Sequence, residues 1–71
     1  TMIKLKNKAG NDIYFNVMNI ISITDRKGGV LIKTSNPACN VEVKDCIDTV
    51  IAKVEKMLIF LGGNNVQTVN Q

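Results

Sequence analysis

Apolar residues near the end of the chain recur at Ile47, Val50, Ile51, Val54, Leu58 and Leu61. That i, i+3, i+4, i+7 spacing predicts a helix with one buried stripe. Upstream the period changes. Ile3 and Leu5, then Ile13, Phe15 and Val17, alternate with polar residues, as in a strand with one face against a core. Strands are predicted from about Met2 to Lys6, Asp12 to Val17, Ile20 to Thr24 and Val30 to Thr34, with a short fifth from about Asn40 to Lys44. Turn residues separate them. These are Asn7 to Asn11 with Gly10, Asp25 to Gly29 with its glycine pair, and Ser35 to Ala38, where Pro37 cannot donate to a central ladder. The connections are short, so neighbouring strands should pair antiparallel. The expected fold class is α+β: a small antiparallel β-meander of four to five strands, followed by one C-terminal amphipathic helix over an apolar face or edge.

The helix is expected from Asp45 to Leu61. Asp45 is the expected N-cap, since its carboxylate can accept from the free amides of the first turn. Asp48 suits the positive helix end, and Gly62-Gly63 stop the helix. One domain, residues 2–61, is expected to precede a flexible polar tail, 62–71. Thr1 reads as a vestige, with Met2 as the natural start.

Composition narrows the chemistry. A chain of 71 residues buries only roughly 60% of its unfolded surface, so its own core gives marginal stability. Small folds compensate with disulfides, metals or self-association. There is no histidine, so the commonest zinc ligand and catalytic base is missing. Cys39 and Cys46 form no CxxC pair. Extended backbone between them would hold them too far apart for a disulfide, and both read as inert thiols. No cofactor or metal is expected, and self-association is the favoured compensation. No signal peptide and no run of apolar residues long enough for a membrane span is evident. The reading is a cytoplasmic protein.

Two surface features are candidates for function. Ile59 and Phe60 fall off the apolar stripe, and with Met57 and Leu61 they form a possible self-association cluster. Lys4, Lys6 and Lys8 alternate along the first strand. They form either a solubilising face or a phosphate-contacting stripe. The net charge of +3 is mild, and the aromatic residues are only Tyr14, Phe15 and Phe60, few for stacking bases. The glycine pairs form neither a P-loop nor a dinucleotide fingerprint, and the serines and threonines have no evident base. The chain is not expected to be an enzyme.

The order of residues also resembles one family. Met2-Ile3-Lys4-Leu5, a turn ending in Gly10, and Ile13-Tyr14-Phe15-Asn16 resemble the opening of the small FlbD-like (SwrD) flagellar proteins. Ile20 and Ile23 match that family's I-x-x-I segment. Val41 to Val54 resembles its closing strand and helix, with Cys46 where the family has a capping serine. The family's tight T-N-G-K hairpin is replaced here by the longer Thr34–Cys39 segment. The resemblance covers residues 2–58. It implies a non-catalytic accessory protein connected with flagellar motor output, acting through a protein partner. The alternative is a small nucleic-acid-binding transcriptional or post-transcriptional regulator, a phage-derived one among the options, with Lys4, Lys6 and Lys8 as its contacts.

Overall fold

The computed structural model describes residues 2–62, with side chains through Ile59. Five strands precede one helix: β1 (Met2–Lys6), β2 (Asp12–Asn16), β3 (Ile20–Arg26), β4 (Gly29–Thr34), β5 (Val41–Val43) and α1 (Ile47–Gly62). The expected α+β class is what the chain adopts. The expected polar tail, 62–71, lies outside the described residues apart from the backbone of Gly62.

The strands do not form one continuous meander. β1 and β2 make a hairpin, and β3, β4 and β5 make a separate antiparallel sheet in that order. The break falls at Val17–Asn19, a 3-10 turn. Asn16 starts it, its Oδ1 accepting the Met18 N–H at 3.0 Å. A side-chain bond of this kind offers the backbone an alternative to the strand ladder. The same device recurs at Asn36, whose Oδ1 accepts from Ala38 at the start of the Pro37–Cys39 turn.

The two sheets are joined along β1 and β5. Asn7 bridges to Val43, and the Lys44 N–H donates to the Lys6 carbonyl at 2.9 Å. Within the hairpin the Asn7 N–H donates to the Asn11 carbonyl. By antiparallel alternation, Leu5 then bonds to Ile13 across the hairpin, while the backbone groups of Lys4 and Lys6 point to the opposite edge. That edge meets the start of α1. Asp45 Oδ1 accepts the Lys6 N–H at 2.8 Å, and Lys53 Nζ donates to the Lys4 carbonyl at 2.7 Å.

Asp45 therefore does not cap the helix. The first helical bond runs from the Val50 N–H to the Cys46 carbonyl, which puts Cys46 at the N-cap. The Asp45 carboxylate instead serves β1, where it replaces the strand carbonyl that would otherwise complete the ladder. Cys46 Sγ lies 3.2 Å from Thr49 Oγ1, on the residue whose backbone amide a capping serine would engage.

The core gathers Ile3, Leu5, Phe15 and Val17 with Val30, Ile32, Val43 and Val50. These are the inward positions of both sheets, closed by the helix. Val50 is wholly buried. Ile51 and Leu58, assigned to the same stripe, are 37% and 39% exposed. At about 100° per residue both sit roughly a quarter turn from Val50, on the flank of the stripe. Thr34 is the buried polar residue among those described. Its Oγ1 donates to the Asn36 carbonyl and its N–H to Asn40 Oδ1, each at 2.8 Å.

Candidate interaction surface

The three lysines singled out by the sequence do not form one stripe. Lys4 and Lys6 lie on the exposed face of β1, but Lys8 follows β1 in the turn. Lys6 Nζ bonds to Asp12 Oδ1 at 2.7 Å, across the hairpin. The Asp12 hydrogen bond and charge hold the Lys6 ammonium above the usual lysine range, and the same contact holds the Asp12 carboxyl below its usual range. The Lys8 ammonium is turned back onto the Gly28 carbonyl, at the tip of the β3–β4 hairpin. Two of the three cations are thus engaged inside the fold. An engaged cation must break that contact before it can neutralise a phosphate.

The expected self-association cluster is also divided. Met57 is half-buried and packs against the core, beside Met2 and Ile3 of β1. Ile59 is 49% exposed and lies about half a turn away from Val50. The side chains of Phe60 and Leu61 lie outside the described residues.

A different apolar surface is assembled, from residues far apart in the chain. Met18 and Ile21 are each 68% exposed. Ile21 lines a groove of about 330 Å³ between β3 and α1, together with Val17, Ile20, Ser22, Ile23, Val54 and Leu58. No charged side chain lines it. The prominence of Ile21 has a local cause. The β3–β4 register shifts between Ile20 and Ser22, so Ile21 is the extra residue of a β-bulge. A bulge re-aims side chains, and here it lets Ile20 and Ile23 both pack on the core while Ile21 is pushed outward. The signal for it is the three-residue spacing of Ile20 and Ile23. In an unbroken strand residues an odd number apart face opposite sides.

A second cleft, of about 300 Å³ and lined by apolar and polar residues alike, includes Met2, Tyr14, Phe15, Asn16, Asn19 and Asn36. The Asn16 and Asn36 side chains there already bond to main-chain amides. Cys39 and Cys46 are both free and exposed. Hydrogen bonds from the Thr49 hydroxyl, then from its backbone amide, hold the Cys46 thiol below the usual range. Among the described residues no three metal-ligating side chains converge, and no helix is long and apolar enough to cross a membrane.

No protein-family model, curated protein or solved structure matches this chain.

Proposed function

We propose that this chain is a small non-catalytic interaction protein that works by associating with itself, and that it serves as an accessory protein of the FlbD-like kind. The observation that carries the first part is the uncharged apolar groove to which Ile21 and Leu58 contribute, both of them exposed. A small domain has little apolar area to spare for its core. Leaving Ile21 about two-thirds exposed and Leu58 more than a third exposed in one uncharged groove is what an interface requires. Scattered single apolar residues would carry no such weight.

The resemblance over residues 2–58 supports the second part. So does Cys46, which stands at the N-cap where that family has a capping serine. On this reading the flagellar motor is where the protein acts. A host lacking the gene should lose motor output, measured as swimming speed, and unchanged swimming would remove the flagellar assignment.

The engagement of Lys6 by Asp12 and of Lys8 by Gly28 weighs against the nucleic-acid reading. Oligonucleotide selection tests it. The expected result is no recovered consensus. A recovered sequence, bound ~10³-fold above random sequence and lost with Lys4→Ala and Lys6→Ala together, would replace the interaction reading with a regulator.

A further inference from the structure

The β3–β4 hairpin closes through a two-residue turn, with Arg26 opposite Gly29. Pairs across an antiparallel ladder alternate between bonded and non-bonded. Counting back from the turn, Thr24 bonds to Leu31, while the N–H and C=O of Ile23 and Asp25 point away from β4. β3 is the edge of its sheet, and no strand among the described residues pairs with it on that side. An open edge of this kind is a template for another strand.

The groove described above runs along this same edge. Its far wall is α1, which presents Val54 and Leu58 to it, with Ile51 on the same helical flank. We infer that the β3 edge is the seam between two copies of this chain, paired antiparallel about a two-fold axis, with the Ile21 and Ile51/Leu58 surfaces buried across it. This rests on the self-association reading and adds its site and geometry.

A second copy suits this surface because one symmetry operation covers both of its parts. The dyad between two antiparallel copies of a strand stands perpendicular to the sheet. It therefore leaves both helices on the same side, the side on which Val50 packs against Val30, Ile32 and Val43. Leu58, which lines the groove beside the edge, and Ile51 on the same helical flank are brought toward their copies over the seam. A lone extended peptide would satisfy the edge but supply no helix to meet that flank.

Charge selects the register. Centring the pair on Asp25 would set two carboxylates directly opposite, which is unfavourable. Centring it on Ile23 or Thr24 puts an uncharged pair at the dyad and sets each Asp25 opposite an isoleucine, Ile21 or Ile23, of the other copy rather than opposite its own equivalent. The size of the surface sets the strength. Seven residues of β3 span about 23 Å at 3.3 Å each. With the neighbouring helix flank the strip is a few hundred Å² per copy, below the roughly 800 Å² of a standard stable interface. An interface of that size is of the weak, transient kind.

The test is sedimentation of the full chain, wild type against Ile21→Lys, Leu58→Lys and Ile59→Lys. All three sites are exposed, so the substitutions leave the core intact. Ile21→Lys and Leu58→Lys should each weaken association at least tenfold, and Ile59→Lys, a further quarter turn around the helix from Leu58 and outside the groove lining, should change it far less. Amide exchange gives an independent reading. The Ile23 and Asp25 amides should become protected as concentration rises. Association untouched by the first two variants, with no protection of these amides, overturns the seam while self-association stands. A wild-type chain that stays monomeric overturns both. Protection of these amides only when an unrelated protein is added would assign the edge to a different partner and overturn the two-fold seam.

Discussion

The carboxylate of Asp45 accepts the main-chain N–H of Lys6 at 2.8 Å, across 39 positions of sequence. A side chain here does what a neighbouring strand does elsewhere, and ties the hairpin to the segment that leads into the helix. Beside it Lys53 does the same for the Lys4 carbonyl, and the two tying groups are themselves 3.9 Å apart. Together they close the open edge of β1.

Removing the Asp45 acceptor should therefore be felt well beyond the helix start. Asp45→Ala should destabilise by about 1–3 kcal/mol, since it leaves a partly sheltered amide without a partner. Asp45→Asn keeps an acceptor oxygen and should recover most of that. Urea denaturation of the two variants checks this. Equal losses in both would mean that the carboxylate charge matters and the Lys6 bond does not.

Val50 is wholly buried in the core. Val50→Ala should cost roughly 2–3 kcal/mol, from lost burial and the cavity it leaves. Lys53→Ala should cost less, about 0.5–1 kcal/mol, because its bond to the Lys4 carbonyl is partly exposed to solvent. The same denaturation measurement ranks them. A larger loss at Lys53 would misplace the centre of the core.

Gly29 opens β4 where a side chain has no room. A Cβ there would come within 2.6 Å of the Val43 carbonyl oxygen, which belongs to the β5 backbone. Gly29→Ala should therefore push β5 away from β4 and destabilise the fold by about 1–3 kcal/mol. The amide shifts of Val41 to Val43 should move the most. An unperturbed β5 would mean that the strands sit farther apart than described.

The Lys6–Asp12 pair has a definite pH signature. Asp12 titrates below its usual range in the folded chain, chiefly because of the Lys6 hydrogen bond and charge. Its contribution is thus present above the ordinary aspartate pKa and is lost as pH falls through the depressed folded value. Lys6 is raised by the same contact. Its contribution is complete below the ordinary lysine pKa and disappears as pH rises through the folded value. Both groups are exposed, so salt should weaken the effect. An NMR titration of Lys6→Met should return Asp12 to the usual carboxylate range. No change in Asp12 would show that another group sets its pKa.

Local periodicity made the strands and the helix legible. β1 is predicted to its observed bounds, and β2, β4 and β5 are displaced by only a residue at either end, because inward and outward positions alternate cleanly along them. β3 runs on to Arg26, past its expected end at Thr24, because the glycine pair allows a tighter turn than the charged stretch suggests. What lay beyond reach was long-range polar pairing. Asp45 looks like an N-cap from its neighbours alone, and only the fold brings Lys6 to it. The lysines of β1 read as one stripe until Asp12 and Gly28 come into view. Ile21 looks like part of a plain strand, because the I-x-x-I spacing signals a bulge only once Ile20 and Ile23 are known to face the same core. The interaction surface depends on that bulge and on a helix flank more than thirty residues away, a juxtaposition no local pattern encodes.

Self-association is the central claim, and sedimentation equilibrium of the unmodified chain over a range of about 1 to 100 µM tests it most directly, the range in which a weak dimer forms and dissociates. The account predicts an average mass that climbs with concentration from 7.8 kDa toward that of a dimer. A single species of monomer mass throughout that range would contradict it.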